Sequence, residues 1–324
     1  MQRILITGGA GFIGSHLAQA LVARGDRVTA VDDESTGSAS NLAPLLGNPT
    51  FTYHRGTLAD RELTRRLVAD VDEVYHLAAA VGVQLIASSP IHTIEANVYL
   101  TEILLAELRR RQEAGAKVKL FLASTSEVYG KNPKPEWNEE DDLVFGPTTR
   151  ARWSYGVSKA IDEFLALAYF RQHGLPVVVA RFFNVVGPRQ TGQYGMVLPR
   201  LVDAALAGGP LIVHDDGRQT RCFAHVRDVV QMVLALMREP RAVGEVFNLG
   251  SDQPISILDL AERVRAIANP AAGIAFQSYA EAFPADFEDV RARVPCLDKL
   301  RGVIGQLPAT PLDEIIREVV ASKR

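Results

Sequence analysis

The sequence predicts an α/β fold: a doubly wound parallel sheet covered on both faces, followed by a smaller, interleaved C-terminal domain. Three observations carry that expectation. Through the first half, short apolar runs alternate with longer segments of helical periodicity. At the outset, the unbroken apolar run Ile4, Leu5, Ile6 leads into Gly8, Gly11 and Gly14, spaced GxxGxxG, and then into a helical pattern. Beyond residue 184 the alternation fades, and proline, glycine and short apolar runs replace it.

Ile4 to Ile6 reads as a strand buried on both faces. Ser15 to Ala23 reads as a helix, with Leu17, Leu21 and Val22 on one face and Gly25 just past its end. Strand, glycine turn and helix N-terminus together make an anion site. Free N–H groups and the helix dipole face it, and glycine lets a pyrophosphate approach the backbone. The second strand, Arg27 to Val31, ends in Asp32, about 20 residues past the glycines, where a carboxylate suits the adenosine ribose hydroxyls of NAD. No Arg adjoins Asp32 in the sequence, and a 2′-phosphate would meet Asp32, Asp33 and Glu34, so the residues favour NAD over NADP.

The pattern continues with a strand over Phe51 to Tyr53, a helix over Asp60 to Val68 and a strand over Val74 to Leu77. A long helix over Ile91 to Arg111, a strand over Val118 to Ala123, a helix over Tyr155 to Gln172 and a strand over Val177 to Ala180 follow. Such a βα alternation places a ligand crevice at the strand carboxyl ends. Stretches 184–216 and 251–324 are loop-rich, with helices near 257–268 and 311–321, and the acidic stretch Glu136 to Asp142 reads as a solvated loop.

The 324 residues, 47% apolar and 23% charged, describe a soluble globular chain with room for one large domain or two joined ones. A net charge of −3 gives no electrostatic case for nucleic acid. No apolar run approaches the ~18 residues of a membrane span. The first strand begins almost at once, leaving no room for a signal peptide, and a cytoplasmic location is expected. Cys222 and Cys296 form neither a disulfide framework nor a metal spacing, and no metal is expected.

The strand from Val118 runs into Ser124-Thr125-Ser126-Glu127-Val128-Tyr129-Gly130, putting polar side chains at the crevice. Further on comes Ser154-Tyr155-Gly156-Val157-Ser158-Lys159, and a Tyr and Lys four apart share a helix face. A lysine cation beside a tyrosine favours the phenolate, which can then act as a general base. Thr125 is placed to hydrogen-bond the same substrate hydroxyl.

With these motifs the chain resembles the extended short-chain dehydrogenase/reductases that remodel nucleotide sugars, the NAD-dependent epimerase/dehydratases. The resemblance runs from residue 2 to about residue 318. It is carried by Thr7 to Gly14, His76 to Ala79, Asn97, Ser124 to Gly130, Tyr155 to Lys159 and Arg181 to Arg189, with Gln219 to Phe223, Asp228 and Phe247 to Gly250. It implies a Rossmann-type NAD-binding domain over 1–182, with parts of 212–250 returning to it, and a mainly nucleotide-sugar-binding domain over 183–324. NAD would be held by Gly8, Gly11, Phe12, Ile13, Gly14, Asp32, Leu58, Leu77, Ala78, Ala79 and Asn97, together with Tyr155 and Lys159. Thr125, Glu127, Tyr155 and Lys159 would be catalytic. Ser126, Asn184, Arg189, Arg221 and Arg293 would hold the nucleotide-diphosphate sugar, arginine's rigid fork suiting phosphate oxygens. One position departs: where the family has Gly-Asp-Leu against adenine, this chain has Gly56-Thr57-Leu58.

The resemblance also implies a shared first step, in which Tyr155 takes the proton of the sugar 4-hydroxyl as hydride passes to NAD, giving a 4-keto sugar. Epimerisation at C4, loss of water from C6, or loss of carbon dioxide from a uronate can follow. Glu127, within Thr-Ser-Glu, and Arg152-Trp153 before the tyrosine resemble UDP-glucuronate decarboxylases, as does Phe287 to Pro295. Thr-Ser-Glu also occurs in GDP-mannose 4,6-dehydratases, whereas dTDP-glucose dehydratases have Thr-Asp-Glu. Glu127 is expected to act through repulsion, bound water or proton transfer. A non-catalytic NAD-binding scaffold is the alternative of another class, and such proteins usually lose the Tyr/Lys pair. A homodimer is expected through two apolar stripes, Leu100, Leu104 and Leu108 on one helix and Phe164, Leu167 and Ala168 on another.

Overall fold

Apolar β-rich segments buried on both faces build the centre of the computed structural model, which describes residues 1–80, 89–192, 196–282 and 290–324. The strands are β1 (Arg3–Thr7), β2 (Arg27–Asp32), β3 (Phe51–Arg55), β4 (Glu73–His76), β5 (Lys119–Thr125) and β6 (Val177–Phe182). Short strands β7 (Val185–Val186), β8 (Leu211–His214), β9 (Thr220–Cys222) and β10 (Ala224–His225) precede β11 (Val246–Leu249). Seven of these form one parallel sheet in the order β11-β6-β5-β4-β1-β2-β3. The direction of strand progression reverses between β1 and β4, and that switch point opens the crevice.

Helices α1 (Phe12–Ala23), α2 (Arg61–Val68), α3 (Pro90–Ile94), α4 (Leu100–Glu113) and α5 (Ser154–His173) connect the strands. One sheet face packs on α1 and the helices Val226–Arg238 and Asp298–Ile304, around Leu17, Leu21, Val229 and Leu300. The other packs on α2, α4 and α5, around Leu67, Leu104, Leu108 and Ala166. A separate core joins the helices Val197–Leu206, Ile257–Ala268 and Leu312–Lys323 beside β8. Two further small strands, β12 (Pro254–Ser256) and β14 (Ala292–Arg293), flank β9, while β13 (Ile274–Gln277) pairs with β8.

Several elements differ from the sequence expectation in ways that shape the crevice. Helix α1 starts at Phe12, three residues early, because the extended Gly11 already serves as its N-cap. Asp60 stands outside α2 as its cap, its carboxylate accepting from the N–H groups of Glu62 and Leu63. The helix expected over 91–111 is α3, a π-turn over Glu95–Tyr99, and α4. The π-turn turns Asn97 inward, where it accepts from Ala80 N at 3.0 Å and donates to Ser158 Oγ at 2.9 Å. The stripe Leu104 and Leu108 faces the sheet, not solvent. Exposed apolar side chains on α3, the π-turn and α5 are Ile91, Ile94, Tyr99, Val157, Ile161 and Phe164. Residues 193–195, and Phe287 with its two successors, lie outside the described residues.

Candidate active site

The crevice is a cavity of about 820 Å³ running from the glycine turn across the carboxyl ends of β1, β4 and β5 to the second core. At its floor, Gly8 adopts φ +70°. A Cβ on Gly14 would stand 2.1 Å from the Gly8 carbonyl oxygen, so only glycine lets the first turn of α1 close on the strand end. Gly11, Phe12 and Ile13 complete that wall. Asp32, at the end of β2, accepts from the N–H groups of Ala10 at 3.0 Å and Glu34 at 2.8 Å. Burial pushes its carboxyl up, and those two N–H groups hold it back. Thr57 and Leu58 lie along the same end, and Leu77, Ala78 and Ala79 line the opposite wall.

The sheet corrects one reading here. Arg55 of β3 pairs in register with Asp32, and its Nε lies 3.3 Å from Glu34 Oε1. A guanidinium therefore stands at this end of the crevice after all, matched to Glu34 and turned largely to solvent. Tyr53 also donates to Glu34, at 3.1 Å.

At the other end, β5 delivers Thr125, Ser126 and Glu127, and the first turn of α5 delivers Tyr155. The two approach closely because position 156 is glycine, whose added Cβ would lie 2.5 Å from the Glu127 carbonyl oxygen. The Thr125 hydroxyl is a hydrogen-bond partner of the Tyr155 phenol. Glu127 is gripped by two arginines: Arg152 Nη1 lies 2.5 Å from its Oε2, and Arg293 Nη1 donates to its Oε1. Burial alone would push the Glu127 carboxyl up, but Arg152 and Arg293 outweigh it and hold the group well below the usual carboxylate range. The two ion pairs thereby favour an ionised Glu127 over a proton donor.

Tyr155 also departs from expectation. Burial raises its phenol above the ordinary tyrosine value; the Glu127 and Asp162 charges add to that, and Thr125 and Arg152 only ease it. Lys159 does not sit as a free cation beside it, because its Nζ donates to Asp162 Oδ2 at 2.7 Å.

On the second core's side, Arg221 of β9 and Arg293 of β14 are register partners, which sets two guanidinium stems side by side at the cavity wall. Asn184 lines the same wall and donates to Cys222 O at 3.0 Å. Of the residues singled out from sequence, two stand elsewhere. Asn97 is buried behind the crevice wall, tying α5 to the chain after β4. Arg189, with φ +71°, turns away and donates to Ser15 Oγ and Gln19 Oε1 on α1. Arg200, His214, Gln277 and Tyr279 line the cavity without having been marked by any motif.

A glycine turn at the switch point of a doubly wound sheet, with a Tyr/Lys pair facing it across one crevice, defines a dinucleotide-dependent enzyme of the tyrosine-base class. Residues 4–250 match the NAD dependent epimerase/dehydratase family, and the chain belongs to it; NAD is its cofactor. Among relatives, the chain is 39% identical over 322 residues to a UDP-N-acetyl-alpha-D-glucosaminuronate decarboxylase of Bacillus cytotoxicus, spanning 98% of this chain and 97% of that protein. It is 35% identical over 327 residues to UDP-glucuronic acid decarboxylase 1 of Arabidopsis thaliana, spanning 99% of this chain and 70% of that one. Among solved structures it is similar to a UDP-glucuronic acid 4-epimerase of Bacillus cereus in complex with UDP-glucuronic acid and NAD. The TM-score is 0.87 at 28% identity, with 99% of each chain covered. The glycine cradle and the Asp32 carboxylate fit NAD: the cradle admits a pyrophosphate to backbone N–H groups, and the carboxylate offers an acceptor to ribose hydroxyls.

Proposed function

We propose that the protein decarboxylates a nucleotide-diphosphate-linked uronic acid by transient oxidation at C4. The observation that carries this reading is the Arg152–Glu127–Arg293 clamp beside Tyr155. Dehydration at C6 needs an acid at the leaving hydroxyl, and a carboxylate paired with two arginines is a poor proton donor. The clamp instead sets fixed charges where a uronate carboxylate must be oriented. The decarboxylases among the relatives support the same choice.

In this reading Gly8, Gly11, Phe12, Ile13, Gly14 and Asp32 hold NAD, with Leu58, Leu77, Ala78 and Ala79 along its path and Asn97 bracing that wall from behind. NAD, when bound, supplies a hydride acceptor that later returns the hydride. Asn184, Arg221 and Arg293 grip the diphosphate, and Thr125 and Ser126 orient the sugar. Tyr155 accepts the proton of the C4 hydroxyl. The ketone so formed is β to the carboxylate, so the C5–C6 bond breaks, carbon dioxide leaves and the electron pair moves onto O4. The protonated Tyr155 and the Thr125 hydroxyl then donate to that oxyanion, and a proton taken up from solvent at C5 restores the C4 ketone before the hydride returns. Glu127, as a fixed anion, repels the carboxylate towards its departure.

The division of labour follows the two cores. Residues 1–182, with β11 and the helix Val226–Arg238 returning to them, bind NAD, and 183–324 mainly bind the nucleotide sugar. A homodimer belongs to the same reading, formed through Ile91, Ile94, Val157, Ile161 and Phe164. So does a cytoplasmic location, where Cys222 and Cys296 stay reduced. No helix among the described residues is long and apolar enough to cross a membrane.

Incubation with UDP-glucuronate and with UDP-N-acetylglucosaminuronate, followed by mass analysis, tests the reaction. Loss of carbon dioxide from either is expected. A product of unchanged mass overturns the reading in favour of a 4-epimerase, loss of water in favour of a dehydratase, and retained NADH without turnover in favour of a scaffold.

A further inference from the structure

A guanidinium offers five N–H donors and no acceptor, so one drawn out of bulk water needs carboxylates or carbonyl oxygens around it. Most arginines of the crevice meet that need within the protein. Arg152 and Arg293 share Glu127, and Arg221 donates to Thr220 O at 2.8 Å. Arg200 is different. It lies in the first turn of the helix Val197–Leu206, is half-buried and lines the cavity. Among the described residues no carboxylate pairs with it and no hydrogen bond engages its guanidinium. Burial lowers its proton affinity, and no neighbouring charge acts against that.

The packing of this helix explains the placement. Leu198, Leu201, Val202 and Ala205 are buried in the second core, whereas Val197 and Arg200, one turn apart, line the cavity. The helix packs against β8. The last residue of β8, His214, lines the same cavity, and so does Gln277 of β13, its register partner. Polar groups from three elements of the second core therefore meet at this end. Glu281 also lines it, but its carboxylate accepts from Ser278 N at 3.0 Å and Ser278 Oγ at 2.9 Å within its own turn. A cation kept here without a protein partner must find its acceptors in water or in a ligand.

We propose that Arg200 is a substrate-binding residue whose guanidinium donates to oxygen acceptors on the nucleotide part of the substrate, phosphate oxygens or base carbonyls. The rest of the cavity narrows the choice to that part. The glycine turn and Asp32 furnish the NAD end, and the Tyr155 end already has Arg152 and Arg293 paired with Glu127. Because Arg293 shares its charge with Glu127, a diphosphate beside it gains from a further cation on the same side of the cavity. The planar fork of Arg200 suits two oxygens at once, whether on phosphate or on a keto base. The proposal rests on the cavity holding a nucleotide sugar, and not on the decarboxylation.

A ligand-serving cation and a structural one part company when the charge is removed. Arg200→Met keeps an apolar stem and removes the guanidinium. In the ligand-free protein this variant should melt at the native temperature or above it, because the arginine gives up no protein partner. Its affinity for a nucleoside diphosphate should fall about 10- to 100-fold, the worth of a hydrogen bond to a charged group, with NAD affinity unchanged. The probes are UDP, CDP and GDP in calorimetric titration of the full-length protein, and the one the native protein binds most tightly is compared with its nucleoside. An equal loss for the nucleoside assigns the base carbonyls, and a loss confined to the diphosphate assigns the phosphates. No turnover is needed, so a protein that binds nucleotide through Arg200 yet releases no carbon dioxide refutes the decarboxylase reading alone. A native protein that binds none of the three overturns the proposal, as does a Met variant that binds the diphosphate within about threefold of the native protein. So does a Met variant that melts lower or fails to fold, which marks a structural arginine.

Discussion

Replacing Gly14 by alanine tests the cofactor cradle at its tightest contact. The new Cβ would fall 2.1 Å from Gly8 O, 2.9 Å from Gly9 Cα and 3.0 Å from Gly8 C. All three are backbone atoms, so no side chain can rotate away. The N-terminus of α1 must retreat from the glycine turn by roughly 1 Å, because close-packed interiors have no slack to absorb the methyl. Overpacking of this kind costs about 1–3 kcal/mol of stability. The larger effect falls on binding. A hydrogen bond to a charged group contributes about 1.5–3 kcal/mol, so one lost N–H to a pyrophosphate oxygen weakens NAD by about 10- to 100-fold. Calorimetric titration of NAD into nucleotide-stripped protein, with circular dichroism to verify folding, measures this. Gly25→Ala is the control. That residue also has a positive φ, +90°, but an added Cβ meets nothing within 4 Å. It should cost about 1 kcal/mol in stability and leave NAD affinity unchanged. A folded Gly14→Ala protein that binds NAD within about threefold of the parent, well under the loss of one charged hydrogen bond, would refute the cradle.

Tyr155→Phe keeps the ring packed and removes the proton acceptor, so turnover should fall about 10²–10⁴-fold with NAD affinity nearly intact; loss of both together would point to a structural role instead. Glu127 is held below the ordinary carboxylate range in the fold, so its contribution to stability is present above about pH 4.3 and is lost as pH falls through its folded value. Glu127→Gln should cost about 3 kcal/mol near neutrality and flatten the acid side of a Tm-versus-pH curve, whereas parallel curves for the two proteins would show that the clamp is not the cause. Phe164, 69% exposed on α5, should anchor the proposed dimer. Phe164→Asp should weaken association by about 30-fold or more in light scattering at micromolar concentrations, and a parent that is already monomeric there removes the dimer.

The parts legible in the sequence are those whose contacts lie within one element or across one turn. The glycine spacing reports a close approach between a strand end and the next helix, and both partners fall within fourteen residues. The tyrosine and lysine share a face because helical periodicity alone puts them there. Contacts set by register between distant strands were not legible. Arg55 reaches the Asp32 end only because β3 lies beside β2 in one particular alignment. Arg293 meets Glu127 across 166 residues because β14 pairs with β9. Leu104 and Leu108 belong to an amphipathic stripe, but periodicity does not say whether a stripe meets the sheet or a second subunit. Arg189 stands three residues past the end of β7, and its left-handed backbone turns the side chain onto α1.

The same distinction explains why the electrostatics of the tyrosine came out with the opposite sign. Spacing shows Lys159 and predicts a lowered phenol. Asp162 is equally visible three residues later, but an i, i+3 Lys–Asp pair usually lies on a solvated face, where it is worth little. Only the packing of α5 against β5 and the π-turn takes tyrosine, lysine and carboxylate out of water, and burial is the largest of the effects that raise the phenol. Glu127 then adds its own charge from the turn after β5, paired with one arginine that precedes α5 and one on β14. The proton affinity of Tyr155 is therefore a property of the assembled crevice, set first by burial and then by the charges placed around it. The tyrosine–lysine motif by itself names the groups but leaves the balance between them open.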